Sequence, residues 1–452
     1  MPELNRWLQR LGDGMRRHAR AIRAVQWIVV LFYALLLVVP ALQPLPDSQA
    51  RILGNLTLFA QFLFWGIWWP FVLLSIVLFG RLWCGVLCPE GSLSEWASQY
   101  GKGMGVPHWL RWGGWPTLAF CLTTLYGQLI SVYDYAQAAL LILGGSTVAA
   151  VVIGLLFARG KRVWCRYLCP VSGVFALLAR LAPVHFRVDE QRWVQNAGVR
   201  LPPPNCAPLL DIRRLQGASD CHACGRCSGQ RGAVQLIARS GNQEILQATS
   251  RTLSPWDVRL LLFGVIGLAM GAFQWTVSPW FIALKQTLAQ WLVEHDQWWA
   301  LEDNAPWWLL THYPQVNDSF SWLDGFGIVV YLGLSSLLLG TALMGVLRLT
   351  ADRELYRPLA MTLTPLGGAG LFLGLSATTV KLLRYEGLLL DWVQPARAGL
   401  LIAAMGWSLL LGWRRLSRER LSRPKRIAGA AGLLLANGLI GFGWWLQFWG
   451  WA

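Results

Sequence analysis

The sequence predicts an all-α polytopic membrane protein of about nine transmembrane helices. Spans one and two are repeated in parallel by spans three and four, and a small cysteine-bearing cytoplasmic module follows. Three observations carry this reading. Of 452 residues, 55% are hydrophobic and only 14% charged, whereas a soluble chain carries roughly a quarter charged residues. The charges are segregated, leaving apolar runs of about 20 residues, the length of a bilayer-crossing helix. Finally, Arg81-x-Trp83-Cys84-x3-Cys88-Pro89 recurs as Arg162-x-Trp164-Cys165-x3-Cys169-Pro170, each copy closing an apolar run.

Residues 1–23 carry Arg6, Arg10, Arg16, Arg17, Arg20 and Arg23 with Trp7 and Leu8 interleaved. This pattern reads as a basic amphipathic helix on the cytoplasmic membrane surface. The first span, about 24–42, exceeds a signal peptide's apolar core and is followed by no small-x-small cleavage site, so it is expected to be retained. The second span, about 56–80, ends in the first cysteine motif. The third, about 115–133, and the fourth, about 139–158, lead to the second motif. Residues 24–183 therefore form repeated hairpins related by an approximate two-fold axis along the membrane normal.

Residues 171–256 hold ten arginines against five acids, which places them in the cytoplasm. Residues 171–181 read as a short surface helix and 201–205 as a Pro-rich connector. The module proper covers 184–256. The remaining region, 257–452, begins with a span at about 258–275. Its loop 281–325 is acidic and rich in tryptophan, with Trp291, Trp298, Trp299, Trp307, Trp308 and Trp322. That loop is expected outside, as a cap hugging the membrane or a docking surface for a redox partner or quinone. Spans at about 326–347, 359–382, 398–413 and 427–448 follow. Arginine-rich loops put the amino terminus inside and the carboxyl terminus outside. The same clustering explains the net charge of +16 without nucleic acid.

Eight of nine cysteines lie in tight groups on segments assigned to the reducing cytoplasm, so metal or redox use is expected over disulfides. Cys121 stands alone and reads as a small buried hydrophobe. In Cys221-x2-Cys224-x2-Cys227, one short loop can aim three thiolates at three irons of a cubane. Cys206 is the remaining nearby thiol. These four are assigned to one [4Fe–4S] cluster, with structural zinc as the alternative. Each Cys-x3-Cys pair falls on one helical turn with both thiols to one side. Together Cys84, Cys88, Cys165 and Cys169 are assigned to a second iron–sulfur site, with Arg81, Arg162 and Arg166 supplying compensating charge. A redox dithiol pair or a copper site remains the alternative here. No histidine lies deep in a span, which disfavours a bis-histidine haem, and no Walker A motif is present. His222, within the cluster loop, reads as solvated.

These motifs resemble those of the polyferredoxin membrane family that includes NapH, NosR and CcoG. The likeness rests on residues 81–91, 162–173 and the cysteine module, and covers roughly residues 20–260. It implies a quinol-linked electron-transfer protein of the bacterial inner membrane with ferredoxin-type clusters, a component of a quinol dehydrogenase. Membrane lipid, quinone and a redox partner protein are the implied partners. The chain departs from the family where Cys227 is followed by Ser-Gly-Gln-Arg with no fourth cysteine, so the module holds one cluster at most. Two other readings use the same residues: a copper-enzyme assembly factor with cupric reductase character, and a transporter with regulatory clusters.

Overall fold

The computed structural model describes residues 2–47, 49–196 and 204–451, so most of the Pro-rich connector, residues 201–203, lies outside the described residues. Eight helices among them are long and apolar enough to cross a membrane. The faces they leave exposed are themselves apolar. In Ala19–Ala41, Val30, Tyr33, Leu36 and Leu37 are buried, while Ile28, Leu31, Phe32 and Leu35 are exposed. Exposure of that much apolar surface fits lipid and not water. The protein is a multi-pass membrane protein.

The third expected span, about 115–133, is covered by a shorter helix. This helix, Trp115–Leu129, has 15 residues, about 22 Å at 1.5 Å per residue, against roughly 30 Å of hydrocarbon. It stops because Ser131 adopts a left-handed φ of 49°, and Ile130 and Tyr135 then turn into an apolar cluster with Tyr313.

Two compact units divide the chain. The first comprises residues 1–39, 69–119 and 143–248. Here α1 (Pro2–Arg17) packs on the strand Val234–Ala238 of the cysteine module. Leu8 is buried with Phe186, Val188 and Leu236. Asn5 accepts from the Ala238 amide, and Ser228 donates to Asp13. Gly12 permits this approach, since a Cβ there would lie 2.9 Å from Ser228 Oγ and 3.3 Å from the Phe186 ring. Trp7 and the arginines remain outward. Leu8 thus has a protein partner, while Leu4, Trp7 and Leu11 are exposed.

Under α1 lies a two-stranded antiparallel sheet, β1 (Val184–Val188) with β2 (Val234–Ala238), in register Val184↔Ala238 to Val188↔Val234. Its inward residues Phe186, Val188, Val234 and Leu236 form the core of the cysteine module with Ile212 and Leu215. The expected surface helix at 171–181 is instead a buried one, Ser172–Ala179, with Val174, Phe175, Leu177 and Leu178 enclosed. An all-round apolar sequence leaves no face for water. Helix Pro89–Tyr100 packs tightly on Gly145–Leu156, where Gly154 lies against the Ser94 carbonyl and a side chain would collide.

The second unit comprises residues 40–68, 120–142 and 249–452. Within Pro255–Gln274, residues Leu260–Leu268 wind as a π-helix. Ser336 donates to the Phe263 carbonyl at 2.8 Å and Ser335 to that of Gly267 at 3.0 Å. Hydroxyls of the neighbouring helix Trp322–Thr350 thus bond carbonyls of the rewound stretch. Helix Pro279–Glu294 of the tryptophan-rich segment is largely exposed, Trp280 and Trp291 included. Beyond it, the Tyr135 and Tyr313 rings stack at 3.6 Å and Tyr135 donates to Asp318 at 2.5 Å. Cys121 is half-buried against Leu268 and Ala272, an apolar setting as expected.

Candidate iron–sulfur centre

The two motifs are built alike but not identically. Gly80 takes a φ of +65°, which turns the chain sharply at the end of Trp69–Phe79. A π-turn, Trp83–Leu87, then carries Cys84. Cys88 is extended, and Pro89 does not merely stop a helix. It occupies the first turn of the next one, Pro89–Tyr100, for which Cys88 is the N-cap. The Cys88 sulfur accepts from the Gly91 amide at 3.4 Å. A helix amino terminus favours the thiolate, the form that ligates metal. In the second copy, the short helix Val163–Tyr167 carries Cys165, and Cys169-Pro170 precedes Ser172–Ala179.

The arginine of each motif reaches into the other copy. Arg162, 1% exposed, donates to the Cys84 carbonyl and to Glu95 Oε2, the latter at 2.8 Å. Arg81, 3% exposed, donates to Ser172 Oγ at 2.9 Å, and Ser172 in turn donates to the Cys165 carbonyl at 2.7 Å. The motif tryptophan Trp164 donates to Glu90 at 3.1 Å. The Arg-x-Trp frame therefore ties the copies together. The copies also touch at Gly91, where a Cβ would stand 3.5 Å from the Cys165 sulfur.

Burial pushes the Cys165 thiol up to about 12, against the pull of Arg162. Burial raises Cys88 and Cys169 as well, and the neighbouring thiols add to it: Cys165 and Cys84 beside Cys88, and Cys165, Cys88 and Cys84 beside Cys169. All four thiols thus share one buried environment. Glu90, close by, is raised by burial too.

Cys206, Cys221, Cys224 and Cys227 line a single cavity with Phe186, Pro208, Leu210 and His222. The cluster loop is tightly turned, with positive φ at Ala223 (47°) and Gly225 (75°), and the Cys221 sulfur accepts from the Ala223 amide at 3.3 Å. The Cys206 segment is anchored to the approach of the second motif. Lys161 Nζ donates to the Cys206 carbonyl at 3.1 Å, and the Arg162 amide to that of Ala207 at 2.8 Å. The loop rests on the first motif at Gly85. A Cβ there would collide with the His222 carbonyl and stand 2.9 Å from the Cys224 amide nitrogen.

Glu95 links all three segments. It pairs with Arg162 at 2.8 Å and with Arg226 of the cluster loop at 2.6 Å. Burial alone would raise its carboxyl, but Arg162 and Arg226 overcome that and hold it below the usual glutamate range. Sequence reasoning missed Glu95, Glu90 and Ser172; two lone acids beside arginine-framed thiols were the available signal. It also misjudged His222, which is 2% exposed and not solvated. Gln26 was missed as well; it donates to the Gly85 carbonyl at 3.0 Å.

Among the described residues, no group of three or more His, Cys, Asp or Glu side chains is placed to hold a single metal ion. The donor set fits a net-negative cluster on a separate observation. Arg81 Nε and Arg162 Nη2 are buried with no hydrogen-bond partner among the described residues. Two orphaned cationic donors beside four thiols suit an anionic group bound between them.

Comparison with known proteins agrees with this chemistry. Residues 61–107 and 140–189 each match the 4Fe-4S binding domain family, one match per motif copy. The chain is similar to proteins of the membrane polyferredoxin and electron-transport class. One is the putative electron transport protein YccM of Escherichia coli K12, 25% identical over 238 residues, 45% of this chain and 64% of that protein. Another is the regulatory protein NosR of Pseudomonas aeruginosa PAO1, 28% identical over 189 residues, 36% of this chain and 25% of that protein. A third is the protein NirI of Paracoccus denitrificans, 29% identical over 136 residues, 25% of this chain and 19% of that protein. The matched part is thus less than two thirds of each of these relatives. No solved structure matches the chain. The chain is thus a multi-pass membrane protein with two matches to a 4Fe-4S binding domain.

Proposed function

We propose that the chain moves electrons between a quinone or cytoplasmic donor and an extracytoplasmic redox partner through two [4Fe–4S] clusters. One is held by Cys84, Cys88, Cys165 and Cys169, the other by Cys206, Cys221, Cys224 and Cys227. The observation that carries the reading is the joining of the two cysteine groups. Arg162 and Arg226 meet on Glu95, and the Cys221–Cys227 loop lies on Gly85. Such close apposition suits sequential one-electron carriers, whose chemistry is the cofactors' own. The side chains hold the thiolates in place, supply positive charge and exclude water.

The duplicated domain match supports the parallel two-hairpin repeat, with one cluster on its pseudo-axis. The arginine-rich ends of the apolar helices support an inner-membrane topology with both cysteine groups cytoplasmic and the carboxyl terminus outside. The exposed tryptophans of Pro279–Glu294 suit the outer membrane interface, beside the redox partner. Protein purified without oxygen and assayed for iron and acid-labile sulfide tests the reading. Absence of both, with all eight thiols intact, contradicts it.

A further inference from the structure

His222 occupies an unusual position. It stands inside the cluster loop, between Cys221 and Cys224, and lines the cavity of the four module thiols. Its carbonyl rests on Gly85 of the first motif. Only 2% of the residue is exposed, and neither Nδ1 nor Nε2 has a hydrogen-bond partner among the described residues. An imidazole carries at least one N–H in either protonation state. A buried donor left unmade costs about 1–3 kcal/mol, and native interiors rarely keep one. No acceptor among the described residues answers this N–H. The acceptors that the cavity's chemistry provides are sulfurs, those of the cysteines and of the cluster they would hold.

We propose that His222 donates a ring N–H to a sulfur of the module cluster and so sets that cluster's reduction potential. The inference rests on the reading of Cys206, Cys221, Cys224 and Cys227 as cluster ligands. Reduction adds negative charge to the cluster and its sulfurs. A donor fixed on them therefore stabilises the reduced form and raises the potential. His222 is a positioning and tuning residue, not a ligand. Its carbonyl against Gly85 puts the cluster loop beside the first motif.

The test uses the full-length protein, purified anaerobically and labelled with 15N-histidine. Hyperfine sublevel correlation spectra of the reduced clusters are expected to show a weak histidine 15N coupling that disappears in His222→Gln. A cluster signal without that coupling in the wild-type protein overturns the inference and leaves the cluster reading standing. Absence of iron from the wild type overturns the cluster reading and the inference with it. Redox titration adds a second readout. His222→Leu, with iron content unchanged, is expected to lower the reduced-to-oxidised ratio of one cluster about tenfold at fixed ambient potential, about 59 mV for one electron. His222→Gln, which retains a donor, is expected to shift it less. Identical titration curves for wild type and His222→Leu overturn the proposal.

Discussion

Arg162 donates to the backbone carbonyl of Cys84, so the arginine that frames one motif is bonded to the thiol-bearing turn of the other. Arg81 makes the reciprocal reach through Ser172 to the Cys165 carbonyl. The two copies are thus interlocked by buried guanidiniums before any cluster is considered. Each guanidinium keeps a spare buried donor for an anionic group.

Removing one arm of this lock should be costly. Arg162→Leu leaves the Glu95 carboxylate, itself mostly buried, with Arg226 alone. Breaking a buried ion pair from one side typically costs about 3–5 kcal/mol, and Arg226 should soften this toward the lower figure. Thermal unfolding should show the loss, and iron should fall at both sites. Arg226→Gln, at a more exposed group, should cost less and spare the site of Cys84, Cys88, Cys165 and Cys169.

Gly85 is a purely steric position. Gly85→Ala drives a methyl group into the His222 carbonyl and the Cys224 amide, both backbone and unable to swing aside. Overpacking of this kind costs about 1–3 kcal/mol. The loop should lift from the first motif, and the coupling between the two paramagnetic signals should weaken. An unchanged spectrum would mean that the loop does not rest there.

The module should show acid sensitivity through Glu244. It pairs with Arg239 at 2.7 Å and accepts from the Ala218 amide at 2.9 Å. Burial works to raise its carboxyl, and Arg239 with Arg180 outweighs it, so the folded value lies below the ordinary one. A group held lower in the folded state stabilises fully above its unfolded value, about 4.3. That stability disappears as pH falls through the folded value. Melting temperature should therefore drop below about pH 4.3. Glu244→Gln should be less stable at neutral pH and show a flatter acid limb.

Leu8 ties the amino-terminal helix to the module core. Leu8→Ala should cost about 2–5 kcal/mol of local stability, the range for a buried leucine. Hydrogen exchange should then accelerate in Pro2–Arg17 and along Val234–Ala238. If the helix lay on the membrane instead, exchange in the strand would not respond.

Much of this was legible in the sequence because it rests on local pattern. Apolar runs marked the spans, and the repeated Arg-x-Trp-Cys frame marked the paired thiols. The spacing of Cys221, Cys224 and Cys227 marked the module loop, and the structure brings Cys206 to the same cavity. What was not legible depends on contacts distant in sequence. Nothing near Glu95 shows that Arg162 and Arg226 converge on it. The burial of His222 follows from Gly85, 137 positions earlier in the chain. The early end of the third span's helix follows a single left-handed residue, Ser131, which hydropathy does not register.

The most direct measurement is the iron and acid-labile sulfide content of the anaerobically purified protein, alongside Cys88→Ser and Cys227→Ser. Two clusters require about eight of each per chain in the wild type, and each variant should lose about four, from a different paramagnetic signal. A wild-type value of about four or less, with all eight thiols intact, or the same signal lost in both variants, would contradict two separate cysteine-bound clusters.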